Sequence, residues 1–271
     1  MAALVKNSKW ISGTIGTLAT IAVWWVVAAT MFRNQPKGAA ETIGAIPTPP
    51  EVLAQFIEDG FGFFAKNAAV TLTEASLGFV WGNLAALSLA AVALILPRLE
   101  NLATQIAVIT YCIPIVAIGP IIRLVVGAPG PGEPAGAAVS LAALSVFFTT
   151  MVGALTGVKS ADKATLDLVT VFGGNAWHRL VKVQLLSALP SILAALRIAA
   201  PAAFLGAILG EYVGGPDVGF GPAMVNAQQS LEVARVWALA LVSGAIAGAA
   251  YAAVGLIARF VTPWSKGAVN A

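Results

Sequence analysis

Residues able to do chemistry are scarce in this chain. His178 is its one histidine and Cys112 its one cysteine. A lone histidine with no carboxylate or cysteine cluster beside it makes neither a metal site nor a catalytic base. Cys112 has no partner for a disulfide, and its apolar neighbours mark it as a small buried hydrophobe. The stretch GALTGVKS, Gly153 to Ser160, comes near a phosphate-binding loop, in which backbone N–H groups wrap the phosphates and a lysine pairs with them. Val158 intrudes between its glycine and its lysine, so no nucleotide site results. No Ser-His-Asp arrangement can be built from this inventory either. The chain is expected to be no enzyme and to hold no cofactor and no metal.

A carrier driven by protons or ions would need paired ionisable groups inside its apolar segments, and often internal repeats. Neither is found. Arg197 alone lies well inside an apolar run, where a long side chain can snorkel toward the helix start, and Glu74 lies near the end of another. A stand-alone secondary carrier is therefore the second reading, and a membrane-embedded enzyme or scaffold the third.

The elements that must position these residues are apolar helices. Of 271 residues, 59% are hydrophobic and only 10% charged, against roughly 25% charged in a soluble domain. The mean hydropathy is +0.88. Apolar windows, each close to the ~20 residues a bilayer core demands, lie between Lys9 and Arg33 and over Ala75 to Leu96, Asn101 to Ile122, Ala135 to Val158, Ala188 to Gly210 (interrupted only by Arg197) and Val236 to Ala258. They predict an all-α polytopic membrane protein of six transmembrane helices, the second beginning near Ala68. The first window is too long for a signal-peptide core and holds Trp24-Trp25, so it is expected to persist as a helix.

With both termini cytoplasmic, the inner segments hold Lys6, Lys9, Arg98, Lys159, Lys163, Arg179, Lys182, Arg259 and Lys266. The outer ones hold Arg33, Lys37, Lys66, Arg123 and Arg235, so the basic residues favour that orientation.

Residues 1–66 form an N-terminal helix and an extracytoplasmic elbow; residues 67–271 form a five-helix core. In the elbow, Ile46-Pro47-Thr48-Pro49-Pro50 is extended, because proline disfavours helix in the residue before it. EVLAQFIEDGFGFF follows, with Val52, Leu53, Phe56 and Ile57 at helical spacing. It reads equally as an amphipathic helix on the outer face or as a plain connector.

Four glycine pairs sit four residues apart: Gly78/Gly82, Gly153/Gly157, Gly206/Gly210 and Gly244/Gly248. Two of the four are expected to be close helix contacts. Pro114 and Pro120 in the third helix and Pro201 in the fifth should break the backbone ladder inside the membrane. Such breaks are tolerated where the freed carbonyls face protein or water. That makes these two helices the expected walls of a translocation path, with Tyr111 and Cys112 nearby.

The loop from Lys159 to Ser187 is the longest cytoplasmic segment. Ser160 can cap a helix over ADKATLDLVTVF, ended by Gly173-Gly174. Asn175 can cap a second, AWHRLVKVQLL, with Trp177, Leu180, Val181 and Leu185 along one side. The pattern alone does not separate a docking surface from a helical connector.

This loop resembles the cytoplasmic signature of permease subunits in bacterial ATP-binding-cassette importers. That signature is Glu-Ala-Ala, three residues, Gly, nine residues, Ile, any residue, Leu-Pro. Here Asp167-Leu168-Val169, Gly173 and Val183-Gln184-Leu185-Leu186 keep the spacing, with Asp for Glu, Leu-Val for Ala-Ala and Leu186 for Pro. ALPSILAALRIA, IPTPPEVL, TLTEASLGF, IPIVAIGPI and GEYVGGPDVGFG extend the likeness along nearly the whole chain. The chain looks most like permeases of the nitrate/sulfonate/taurine group.

The resemblance implies a type I importer fold in a bacterial inner membrane, with a second permease copy or homologue packed alongside. It implies two ATPase subunits on the cytoplasmic side, an extracytoplasmic solute-binding protein and no nucleic acid. Asp167, Gly173, Asn175, Trp177, His178, Arg179, Leu180 and Leu185 would then couple to the ATPases. Tyr111, Pro114, Pro120 and Pro201 would line the path, and Glu211 would serve at the outer gate or in contact with the binding protein. Arg197 occupies a position that is basic across relatives of differing cargo, which argues for a structural role. The cargo would be a small polar solute, such as a sulfonate, nitrate or taurine-like anion or a pyrimidine precursor.

Overall fold

In the computed structural model the described residues are 2–31, 35–37, 41–43, 46–130, 132–214 and 216–265. Arg33 and Lys266, used in the charge balance, lie outside them, as do the side chains of Lys6, Lys9, Lys37 and Glu41. The element order is α1 (Ala2–Met31), β1 (Gln35–Lys37), β2 (Glu41–Ile43), α2 (Pro49–Ile95), α3 (Glu100–Cys112), α4 (Ile115–Val126), α5 (Gly136–Lys159), α6 (Lys163–Val171), α7 (Ala176–Arg179), α8 (Leu185–Tyr212), α9 (Phe220–Gln229) and α10 (Val233–Val261). The antiparallel pairing of β1 with β2 is a small exception to the all-α expectation.

Five helical runs are long and apolar enough to cross a membrane, and a bent pair, α3 with α4, makes a sixth. The third expected span is therefore two helices meeting at 97°. Pro114 has no N–H to give, and it forces Ile113 into an extended conformation at φ −71°, ψ 124°. Pro120 and Pro201, expected to break their helices, instead lie inside the unbroken runs of α4 and α8.

The residues group into two compact units. One comprises residues 1–65 and 223–242, the other 66–222 and 243–271.

In the first unit, Trp24 of α1 stacks on Trp237 of α10, ring centroids 5.4 Å apart, and donates its indole N–H to Pro47 O at 3.0 Å. Arg235 makes a forked ion pair with Asp59, Nη2 to Oδ1 at 2.7 Å and Nε to Oδ2 at 3.0 Å, and also pairs with Glu232. The segment after Pro50 is helical, with a non-helical joint at Gly60, φ 70°. Its apolar stripe is only partly covered: Val52 is buried while Leu53, Ile57 and, past the joint, Phe61 are exposed.

In the second unit, α5 lies between α2 and α8. Glycine lets their backbones meet. A Cβ at Gly82 would stand 2.4 Å from Ala143 O, one at Gly210 2.4 Å from Ala138 Cα, and one at Gly153 2.4 Å from Ala195 Cβ. Three of the four glycine pairs are thus true contacts, while Gly244 and Gly248 face open space. Alanines 86, 90, 93, 103 and 107 pack with Met151 and Leu155 where α2, α3 and α5 meet. Inside the seam, Thr150 donates its hydroxyl to Asn83 Oδ1.

Candidate functional site

Two groups of residues stand at opposite ends of α8, whose 28 residues span about 42 Å at 1.5 Å per residue.

The first is the hairpin α6–α7. The cap of α6 is Asp162, not Ser160: its carboxylate accepts the Thr165 N–H at 3.1 Å and the Thr165 hydroxyl at 3.0 Å. Ser160 is taken by the end of α5, where its hydroxyl donates to Gly157 O at 2.7 Å. The Thr165 N–H and hydroxyl hold the Asp162 carboxyl below its ordinary range. Helix α6 ends as expected: Gly173 takes φ 78°, a left-handed conformation that glycine adopts without steric penalty.

Asn175 then caps α7, its Oδ1 accepting the His178 N–H at 3.1 Å. His178 Nδ1 lies 2.8 Å from that same Oδ1 and 3.5 Å from the Asn175 N, so its nearer partner is the side chain. His178 is thus part of a cap, a role not visible from its being the lone histidine.

Beyond α7, residues Leu180–Gln184 widen into a π turn that runs directly into α8. The expected second helix therefore continues into the fifth span. Asp167, Trp177 and His178 are exposed; Arg179 and Leu180 are half-buried, and Leu185 is exposed. Across the turn, Leu168, Val171, Phe172 and Trp177 are 55%, 81%, 82% and 65% exposed. Two short capped helices thus present an apolar surface that nothing among the described residues covers.

The second group is a buried polar cluster around Glu211, at the other end of α8. Glu211 is 2% exposed and Glu74 0%. Thr71 donates its hydroxyl to Glu211 Oε1 at 2.7 Å, and Gly221 donates its N–H to Oε2 at 2.6 Å. The Phe220 N–H goes to Thr71 Oγ1 and the Gly219 N–H to Asn67 Oδ1, each at 3.0 Å. Gly219, at φ 149°, must be glycine: a Cβ there would stand 2.7 Å from the Glu211 carboxyl. Glu74 Oε1 accepts the Ala135 N–H at 2.7 Å, at the start of α5. Each carboxyl thus receives a helix N-terminus, where partial positive charge favours it.

Of this cluster, Glu211 was legible in sequence; Asn67, Thr71 and Glu74 were not assigned. The signal was their spacing, positions i, i+4 and i+7 of one apolar helix, which gathers three polar side chains on one face.

The expected path residues are spread out. Tyr111 is 68% exposed and stacks on Phe148 at 4.5 Å. Cys112, expected to be buried, is exposed at the end of α3, two residues before the bend at Pro114. Pro114 and Pro120 are also exposed, and Pro201 is half-buried. A mostly apolar cavity of ≈730 Å³ sits in the angle of α2, α3, α4 and α5, with Ile106, Thr110, Ile118 and Phe147 among its walls. Arg197 lies over the Tyr251 ring, Cζ 4.0 Å from its centroid, in room left by Gly255.

Residues 70–266 match the family described as binding-protein-dependent transport system inner membrane component. A probable ABC transporter permease protein of Haemophilus influenzae is 28% identical over 83% of this chain and 90% of its own length. A formylaminopyrimidine transport permease protein of Halalkalibacterium halodurans is 25% identical over 90% of this chain and 92% of its own. A putative aliphatic sulfonates transport permease protein of Bacillus subtilis is 24% identical over 96% and 89%. Among solved structures, the methionine ABC transporter MetNI in inward-facing conformations has a chain of the same fold. Its TM-score is 0.61 at 16% identity, over 74% of this chain and 96% of that one.

The likeness to permeases of the nitrate/sulfonate/taurine group thus holds at the level of the family. The chain belongs to the binding-protein-dependent inner membrane components: it is a multi-pass permease subunit of an ABC importer, the non-catalytic membrane part of a system that works with an ATPase and a binding protein.

Proposed function

We propose that this permease lines the path of a small polar solute and is driven through the α6–α7 hairpin by two ATPase subunits docked there. The observation that carries this reading is the exposed apolar surface of Leu168, Val171, Phe172 and Trp177, held rigid by the Asp162 and Asn175 caps. Apolar side chains so exposed on a short loop mark a protein interface. Asp167, Gly173, Asn175, Trp177, His178, Arg179, Leu180 and Leu185 belong to that coupling segment. In this reading the hairpin and both termini are cytoplasmic, a second permease copy or homologue packs alongside, and the binding protein docks at the opposite face.

The bend at Pro114 and the residues Tyr111, Pro120 and Pro201 border the path, and Glu211 braces the outer gate. A sulfonate, nitrate or taurine-like anion, or a pyrimidine precursor, is the cargo favoured by the relatives, which include a formylaminopyrimidine transport permease and a putative aliphatic sulfonates transport permease.

The test is a pull-down of tagged protein in detergent, run beside a variant carrying Gly173→Pro and Trp177→Ala. An ATPase with a phosphate loop should accompany the wild type and be lost from the variant. Recovery of a folded permease alone, still moving solute without ATP, would favour the stand-alone carrier.

A further inference from the structure

The cluster at the end of α8 contains a charge problem that its hydrogen bonds do not solve. Glu74 and Glu211 are both buried, with their carboxyl groups facing one another. Their juxtaposition follows from the helix: Thr71, which holds Glu211, is three residues before Glu74 and on the same face. Two carboxylates cannot hydrogen-bond, since both offer only lone pairs. Glu211 receives one donor on each oxygen, from Thr71 and Gly221, which leaves it room to accept another; Glu74 Oε1 receives the Ala135 N–H. Glu74 Oε2 is buried and receives no N–H or hydroxyl from the protein.

No lysine or arginine forms an ion pair with either acid among the described residues. Other charged groups line the adjoining cavity of ≈770 Å³, which Glu74 also lines: Lys66 from α2, Arg123 from α4, Glu133 from the loop before α5 and Asp217 from the turn before α9. Arg123 is engaged elsewhere, donating to Gly127 O at 3.1 Å, and Glu133 accepts the Gly130 N–H at 3.2 Å.

We propose that Glu74 and Glu211 form a proton-binding site, in which a single proton on Glu74 Oε2 is donated to the Glu211 carboxylate and latches α2 and the start of α5 to the end of α8 and the start of α9. One proton completes every hydrogen bond in the cluster and leaves one buried negative charge in place of two. When it leaves, it goes to water in the cavity, and the two carboxylates repel. Glu74 then swings toward Lys66 and Arg123, and the start of α5 loses its tie to α8. The latch makes the arrangement of this end of the bundle sensitive to the pH of the compartment it faces. That consequence holds whichever solute the permease carries.

Infrared spectroscopy of the full-length protein in lipid nanodiscs tests the site, because a protonated carboxyl has a carbonyl stretch distinct from a carboxylate. At neutral pH ordinary carboxyls are ionised. The wild type should show one protonated-acid absorption that shifts in D2O and disappears as the pH is raised. It should be absent from Glu74→Gln, which supplies the same donor without a titrating proton. Thermal unfolding adds a second readout. A native state that binds one extra proton loses about tenfold in its folding equilibrium for each pH unit of alkalisation relative to Glu74→Gln. If Glu74→Gln does not fold, the wild-type titration decides alone. Absence of the absorption at neutral pH, its persistence in folded Glu74→Gln, or parallel pH profiles of the two proteins would overturn the proposal.

Discussion

The N–H of Leu185 bonds to the carbonyl of Leu180, five residues back instead of four. This wide turn is the only covalent route from the α6–α7 hairpin into α8, and it sits at the junction of the surface proposed to take the push and the helix proposed to move. An extra residue in a helix rotates what precedes it by about 100° and adds a point where the ladder can slip.

Deleting Lys182 from the turn converts it to regular α-helix and swings the hairpin by about 100°. The subunit should fold and insert, since Lys182 is exposed and outside the packed seams. Binding of the ATPase, read by co-purification, should fall at least tenfold.

The glycine contacts give a prediction with a built-in control. Gly82→Ala and Gly210→Ala drive a methyl into backbone atoms at 2.4 Å, Ala143 O and Ala138 Cα. Each should cost about 1–3 kcal/mol of stability, the usual scale of overpacking. Gly244→Ala and Gly248→Ala meet nothing within 4 Å and should hold or slightly raise the thermal midpoint of the isolated subunit, since alanine is the better helix former. Thermal unfolding in one detergent compares all four.

These pairs also show where sequence reading stops. All four have the same spacing, and nothing local to Gly244 marks it as lacking a neighbour, because the neighbour is another helix or none. The hairpin was far more legible: Gly173 and Asn175 act within a few residues of themselves, so local chemistry determines them. Even there, Ser160 and Asp162 are both capping types two positions apart, and the carbonyl of Gly157 claims the serine. Pro114 was seen as a break in the ladder, but the size of the bend depends on how α4 packs and not on the proline alone. Of the two donors to Glu211, Thr71 lies 140 positions away, beyond any periodic signal.

The Arg235–Asp59 pair should be a strong tie within its unit. Asp59 keeps only 5% of its side-chain exposure, and the guanidinium engages both carboxylate oxygens. Arg235→Ala leaves that buried carboxylate without its guanidinium, though still accepting from the Gln55 amide at 3.0 Å, and should cost about 3 kcal/mol. Arg235→Lys should recover little, since an ammonium cannot supply the fork. A double-mutant cycle with Asp59→Asn measures the coupling.

The cap of α6 carries a pH signature. Thr165 lowers the Asp162 pKa in the folded hairpin, so the carboxylate stabilises α6 fully above the ordinary aspartate range and loses that contribution as pH falls through the lowered value. Hydrogen exchange at the amides of α6 should accelerate on acidification in that window. In Asp162→Asn, where the cap cannot titrate, the same amides should show no such added acceleration.

The central claim is that an ATPase drives this permease through the α6–α7 hairpin. Its most direct test is site-specific crosslinking of the membrane-assembled transporter in a Cys112→Ser background, from Trp177→Cys and Val171→Cys, with Thr73→Cys at the far end of the bundle as control. The account predicts that both hairpin cysteines crosslink to a subunit bearing a phosphate loop, with yields that change when ATP is added, while Thr73→Cys does not. Hairpin cysteines that find no such subunit, in an assembly that still transports, would contradict it.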